Sequence, residues 1–377
     1  MAMTKIPAGD GMNYAIRGTD RCNLDCDYCY ARVPNPQDMS LETLRLVLTE
    51  IAQNSSGKIT ISWTGGEPTL LGRKFFETIM EVQRDFPNIE FTNILQTNLT
   101  LLDDWFINFL AVNDWQVRTS LDLPAEHHDL LRIRGNFART LAKIKRLQAV
   151  GIPVNINTVI TNRNVYSAAK IYEFLKANQI TSFSVSRFIL QGNAKDNEHL
   201  AIREDGRFGL FLIELFDLWM NDPEGHLIQR ITPLENLLRA CKLHLENKPN
   251  PNACFHCQQQ IVAIGPTGDI FPSCNKFFGF PTTCLGNIAT RSLSEVMESE
   301  ERKAFLAKVR EVTRKICSGC EFIPICKGGC FYVAYAALPE LDRITGREQF
   351  CKGYYLLFAH IIEYLKRKES QQETDHV

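Results

Sequence analysis

Cys22-Asn23-Leu24-Asp25-Cys26-Asp27-Tyr28-Cys29-Tyr30 follows a short apolar segment, Met12 to Ile16, and sets three thiols within eight residues. A structural zinc site needs a fourth ligand and usually comes as paired CxxC arms, so a CxxxCxxC run fits it poorly. Three close thiolates can instead hold three irons of a [4Fe-4S] cube and leave the fourth iron open to a small molecule. Zinc and buried free thiols are the competing readings.

Working outward from this run, β-rich segments alternate with amphipathic ones as far as residue 190. Strands are expected at Asn13–Thr19, Lys58–Trp63, Ile89–Leu95, Gln116–Leu121, Val154–Ile160 and Phe183–Ile189. Helices are expected at Leu41–Gln53, Lys74–Arg84, Asp103–Val112, Phe137–Val150 and Val165–Asn178. In the first of these, Leu41, Leu44, Val47, Leu48 and Ile51 recur at helical spacing behind Ser40 as N-cap. Six such strands alternating with helices imply parallel pairing through right-handed crossovers. The fold class is therefore α/β, a partial (β/α)6 TIM barrel, with its chemistry at the C-terminal ends of the strands. The polar motifs fall at those ends. Thr64-Gly65-Gly66-Glu67-Pro68 follows the second strand, Gln96-Thr97-Asn98 ends the third, and Ser120-Leu121-Asp122 ends the fourth. The paired glycines would allow backbone to approach a ligand, and Glu67 could accept from an ammonium group. His127 and His128 read as exposed loop residues. Arg132 could hold a carboxylate or pair with Asp129. Ser186-Arg187 at the end of the sixth strand and Gln191-Gly192-Asn193 beyond it form a candidate substrate rim.

The 377 residues suffice for one large or two medium domains. A net charge of -1 gives no basic field for nucleic acid or an anionic membrane, and no run approaches the ~20 apolar residues of a spanning helix. Thirteen cysteines without an export leader point to metal ligation in a reducing, cytoplasmic compartment. Composition changes near Asn247–Asn252. Beyond it stand Cys254, Cys257, Cys274, Cys284, Cys317, Cys320, Cys326, Cys330 and Cys351, a ligand array that zinc knuckles could also use. A first domain of residues 1–235 and a cysteine-rich second domain of 236–377 are expected, with a disordered tail from Glu369 to Val377.

The three-cysteine run, the GGEP loop and the polar strand ends, in this order, resemble the radical S-adenosylmethionine (SAM) enzymes. The resemblance implies that Cys22, Cys26 and Cys29 ligate a catalytic [4Fe-4S] cluster whose open iron chelates SAM. It implies that Gly65, Gly66 and Glu67 receive the methionine ammonium and that Gln96, Asn98, Ser120 and Asp122 line the ribose side. Arg132 would be the carboxylate partner, and Tyr28 would cover the cluster near the adenine. Reduction by a flavodoxin- or ferredoxin-type partner would cleave SAM to a 5′-deoxyadenosyl radical.

The later cysteines resemble the SPASM extension, which implies two auxiliary [4Fe-4S] clusters and three in all. Cys254, Cys257, Cys274 and Cys330 would hold one; Cys317, Cys320, Cys326 and Cys351 would hold the other. Gly268 stands one residue further from Cys274 than usual, with Ser273 extra, so a bulge is expected there. Cys241 and Cys284 are surplus and are expected to be buried apolar thiols.

Gly65 to Leu70, Phe216-Asp217-Leu218-Trp219 and Gly286-Asn287-Ile288 further resemble anaerobic sulfatase maturases and enzymes that cross-link ribosomally made peptides. Both act on a peptide or protein substrate. In the sulfatase maturases an aspartate that serves as base follows the auxiliary-cluster cysteine; here that position is Asn275, and a carboxamide takes no proton at neutral pH. The substitution favours cross-linking, with Lys276, Glu321, a tyrosine or water left as base. Formylglycine formation is the alternative, and a non-catalytic iron–sulfur electron carrier or sensor is the reading from another class. Only 21 residues precede Cys22, so leader binding is expected on the barrel and SPASM surfaces or on a separate protein.

Overall fold

The computed structural model describes residues 13–132, 136–250, 261–337 and 350–375. Period-2 patterning and short turn signals produce ten strands among the described residues: β1 Asn13–Thr19, β2 Gly57–Gly65, β3 Ile89–Thr97, β4 Gln116–Ser120, β5 Val154–Ile160, β6 Ser182–Arg187, β7 Arg230–Thr232, β8 Ile261–Ile264, β9 Asp269–Phe271 and β10 Gly286–Asn287. They form one sheet in the order β10-β9-β8-β1-β2-β3-β4-β5-β6-β7. Each neighbouring pair from β1 to β7 is parallel, as the βα alternation requires. The parallel part of this curved sheet is the partial barrel.

The helices between strands follow the apolar spacing closely. α1 spans Leu41–Gln53, α2 Arg73–Arg84, α3 Asp104–Val112, α4 Ala125–Leu131, α5 Phe137–Ala149, α6 Ala168–Ala177, α7 Arg207–Asn221 and α8 Leu234–Leu245. In α1 the Ser40 hydroxyl accepts from the Thr43 N–H at 3.0 Å, and Leu44, Val47, Leu48 and Ile51 are buried against the sheet. Each such side chain contributes on the order of 2 kcal/mol by leaving water. The opposite face of the sheet is polar. Gln116, Arg118 and Ser120 of β4, Asn155 and Asn157 of β5, and Ser182, Ser184 and Ser186 of β6 line the hollow, alternating with buried Val117, Thr119, Ile156 and Phe183.

Several elements differ from expectation. A seventh parallel strand, too short to register as a pattern, closes one edge at β7. At the other edge β8 pairs in parallel with β1, so the strands from the C-terminal region extend the barrel sheet instead of forming a separate one. The β8–β9 hairpin keeps a regular register, Ala263↔Phe271 and Ile264↔Ile270, and the extra Ser273 lies past it without a bulge in the ladder. The acidic-polar tail is helical: one helix runs from Cys351 to Asp375, carried by good helix formers such as Glu, Lys and Gln. Its first half is held by packing, with Tyr354, Leu357, Phe358 and Ile361 buried. Cys241 is fully buried as expected, whereas Cys284 is exposed because it ends a 3-10 turn, its thiol 3.4 Å from the Gly286 carbonyl.

Candidate active site

The cysteine loop leaves the end of β1 and is pinned at both ends by one buried residue. Arg17 on β1 pairs with Asp20 at 2.5 Å and donates to the Ala31 carbonyl at 2.6 Å, bracketing the three cysteines. From across the barrel mouth, the segment after β6 clasps the loop. Asn193 N–H donates to the Cys29 carbonyl at 2.9 Å, its Nδ2 donates to Asp25 at 2.7 Å and to the Cys26 carbonyl at 3.2 Å, and Asn197 Nδ2 reaches the Asp27 carbonyl at 3.0 Å. Gly192 has φ +58°, and a Cβ there would lie 2.4 Å from the Cys29 carbonyl oxygen. Gly192 and Asn193, read as part of a substrate rim, therefore hold the cysteine loop in place.

The GGEP loop splices three strand ends together. Gly66 N–H donates to the Thr19 carbonyl and Glu67 N–H to the Arg21 carbonyl, both at 2.8 Å. A Cβ on Gly65 would sit 2.1 Å from the Thr19 oxygen, and one on Gly66 2.0 Å from the Arg21 oxygen. Glycine is required because this loop presses on the backbone just before Cys22, a reason distinct from ligand approach. Glu67 is fully buried and does not face the cavity. Its Oε1 accepts from Thr69 N–H (3.1 Å), Thr69 Oγ1 (2.6 Å) and Thr97 Oγ1 (2.8 Å), and its Oε2 from Asn98 N–H (2.7 Å). Burial raises its pKa while these donors pull it down. The carboxylate is thus a brace between β2 and β3. Asn98 is a brace too: its Nδ2 donates to Asn23 Oδ1 at 2.9 Å beside Cys22, and its Oδ1 accepts from Thr100.

A second buried chain runs beneath Tyr28. The Tyr28 hydroxyl donates to Asp122, Arg132 Nη1 donates to the Tyr28 oxygen at 3.0 Å, and the guanidinium lies 5.9 Å from the Tyr28 ring centre. Asp122 is fully buried, accepts from the Val159 N–H at 3.0 Å, and orients Tyr28 from outside the cavity wall. Arg132 does line the cavity and does not pair with Asp129, which accepts from the Phe137 N–H. His127 and His128 are 4% and 1% exposed, against expectation, because α4 folds them onto β4 and β5. The Asp122 N–H donates to His128 Nδ1 at 3.2 Å, and burial, helped by Arg132, pushes His128 down to about 4.

These elements enclose a cavity of about 720 Å³ whose wall includes Cys22, Cys26, Cys29, Tyr28, Gly65, Gly66, Gln96, Asn98, Ser120, Arg132 and Lys276. Burial raises the Cys22 thiol and pushes Cys26 up to about 11, so binding iron would release protons here. No three His, Cys, Asp or Glu side chains among the described residues are close enough to hold a single ion. The three thiols on one wall, with open space and the polar Gln96 and Ser120 beside them, fit an iron–sulfur cube with a polar small molecule alongside.

Of the later cysteines, Cys254 and Cys257 lie outside the described residues. Cys274 and Cys330 both lie near enough to raise the pKa of Tyr332, whose hydroxyl is buried without a hydrogen-bond partner among the described residues and could donate to a cluster sulfur. Cys317, Cys320 and Cys326 lie on the turns around Phe322, whose ring meets Tyr355 edge to face at 4.7 Å, one turn after Cys351. Lys327, Gly328 and Gly329, with φ of 51°, 94° and 80°, turn the chain between Cys326 and Cys330. Lys276 lies in the cavity wall over Tyr30 and Tyr332, at 5.8 and 5.4 Å from their ring centres. Glu321 is not in that wall; it accepts from the Tyr355 hydroxyl at 2.5 Å. Arg17, Gly192 and Asn193 lacked a local signal for these roles, since each acts through contacts remote in sequence.

Comparison with known proteins agrees with this geometry. The radical SAM superfamily matches residues 16–175, and the SPASM iron-sulfur cluster-binding domain matches residues 254–321. The serine-type anaerobic sulfatase-maturating enzyme of Bacteroides thetaiotaomicron is 28% identical over 376 residues, covering 91% of this chain and 87% of the relative. The structure of anSMEcpe with bound AdoMet and Kp18Cys peptide has a TM-score of 0.81 at 24% identity, covering 95% of this chain and 99% of that one. Streptococcus suis SuiB bound to the precursor peptide SuiA has a TM-score of 0.62 at 19% identity, covering 90% and 74%. The two structures establish a shared fold.

Proposed function

We propose that this chain, which matches the radical SAM superfamily over residues 16–175 and the SPASM domain over 254–321, is a radical SAM enzyme whose reaction is a two-electron oxidation of a side chain in a ribosomally made peptide, ending in an intramolecular cross-link. Cys22, Cys26 and Cys29 would hold the catalytic cluster, and Cys254, Cys257, Cys274 and Cys330 with Cys317, Cys320, Cys326 and Cys351 would hold two auxiliary ones. When bound, cluster and SAM would supply a carbon radical able to take a Cβ hydrogen, and an auxiliary cluster would accept the second electron. The chain's own residues fix the frame for this. Glu67 and Asn98 lock the cysteine loop to β3, Tyr28 is held by Asp122 and Arg132, and Gln96 and Ser120 offer polar contacts from the wall. Of the two non-tyrosine bases that the sequence offers, Lys276 borders the cavity and Glu321 does not. A reducing cytosol and a flavodoxin- or ferredoxin-type donor suit this chemistry.

The observation that carries cross-linking over formylglycine formation is Asn275 directly after Cys274. An amide cannot take up the proton that aldehyde formation releases. The second reading, sulfatase maturation, is supported by the match to a sulfatase-maturating enzyme over 91% of the chain. The test is anaerobic: iron-loaded protein, SAM and dithionite are offered a Cys-x-Pro-x-Arg peptide and the peptide encoded beside the gene. Loss of two hydrogens, retained after alkylation and mapped between two side chains of the second peptide, is the expected result. An aldehyde on the first peptide would establish sulfatase maturation instead, and absence of 5′-deoxyadenosine would leave an electron carrier.

A further inference from the structure

Below the level of the cysteines, the floor of the cavity carries a guanidinium that no described side chain neutralises. Arg118 on β4 lies two residues before Ser120, about 7 Å deeper along the strand. Its side chain is exposed to the cavity and makes no hydrogen bond or ion pair with any described residue. Asn155, its register partner on β5, is unavailable: its Nδ2 donates to Ser182 Oγ at 2.8 Å and its Oδ1 accepts from Ser184 at 2.9 Å. Arg230 at the start of β7 stands opposite Ser182 and close enough to repel Arg118, with Glu235 behind it at 3.5 Å. The first halves of β4 to β7 thus present two guanidinium groups to the cavity and no carboxylate among the described residues. Gathering like charges in a walled space is unfavourable unless an anion completes it.

We propose that Arg118, assisted by Arg230, receives a carboxylate of the peptide substrate, so that the enzyme selects an acidic residue near the one it modifies. This rests on the peptide reading above and adds a specificity determinant to it. Arginine is suited to the task because its planar fork grips a carboxylate bidentately, and losing a charge-assisted contact of this kind weakens binding by about tenfold or more. An aspartate or glutamate side chain and a peptide C-terminus share this chemistry.

The test is anaerobic fluorescence anisotropy on the iron-loaded, SAM-bound full-length protein, which needs no turnover and so stands even if no cross-link forms. The probes are three fluorescein-labelled octapeptide mixtures, degenerate except for a fixed fifth position: Glu with an amidated C-terminus, Gln amidated, and Gln with a free C-terminus. Wild type should bind one carboxylate-bearing mixture about tenfold or more tighter than the amidated Gln mixture. Arg118→Gln should abolish that preference, Arg118→Lys should keep part of it, and which mixture is preferred identifies the source. Iron content and melting temperature verify that each variant folds. Equal binding of all three mixtures by wild type, a preference that survives Arg118→Gln, or an Arg118→Gln effect confined to SAM affinity would each overturn the proposal.

Discussion

Glu67→Gln separates a brace from a ligand contact. The buried carboxylate accepts from two N–H and two O–H groups within 3.1 Å. Glutamine keeps one acceptor oxygen. Set at the Oε1 position, it preserves three of the four bonds without their charge assistance, and its NH2 then faces the Asn98 N–H, donor against donor. An orphaned buried N–H costs about 1–3 kcal/mol, and weakening three charge-assisted bonds adds about 2 more. The neutral side chain avoids the desolvation cost of a charge, which lowers the net loss to about 3 kcal/mol. For 377 residues the unfolding entropy is about 0.8 kcal/mol per kelvin, so the melting midpoint should fall by about 4 °C.

The assay is calorimetric unfolding of the iron-loaded protein, paired with anaerobic titration of SAM. Thr97→Val, which removes one donor, should cost about 1 kcal/mol in the same direction. An unchanged midpoint with a collapse of SAM affinity would refute the reasoning and restore Glu67 as a direct ammonium partner.

Two further outcomes follow from the same frame. Gly66→Ala places a Cβ 2.0 Å from the Arg21 carbonyl oxygen, where only backbone could yield; iron and sulfide per chain should drop to the level of Cys22→Ala. His128, lowered by burial from 6.5 to about 4, takes up its proton more readily in the unfolded chain. Stability should therefore be full above pH 6.5 and fall by up to about 3 kcal/mol as pH drops towards 4. Denaturant titrations across that window should show a shallower loss in His128→Leu.

The barrel was legible because its determinants are local. The bounds of β1, β5 and α1 follow from alternation and helical spacing within a dozen residues, and the strand-end motifs follow from the rule that parallel sheets do chemistry at one edge. What escaped depends on contacts far along the chain. His127 and His128 look like loop residues because Pro124 and polar neighbours hide a two-turn helix that packs inward. Glu67 and Asp122 are acidic residues at strand ends, a pattern shared by ligand-binding and load-sharing carboxylates alike. Only the position of Thr97, Asn98, Tyr28 and Val159 tells which they are.

That distinction extends to the whole cavity. At its rim the polar side chains are consumed by one another: Glu67 by β3, Asn98 by Asn23 and Thr100, Asn193 by the cysteine loop, Asp122 by Tyr28. Groups so satisfied gain little from a ligand and serve to hold three thiols rigid, the property a cluster needs through repeated electron transfer. On the floor the pattern reverses, with Asn155 saturated by two serines and Arg118 left without a described partner. A buried network that completes itself is scaffold; a charge left open beside one is where recognition has room to act. On the proposal above, choice of substrate would fall to the deeper half of β4 and β7, away from the self-satisfied networks at the strand ends.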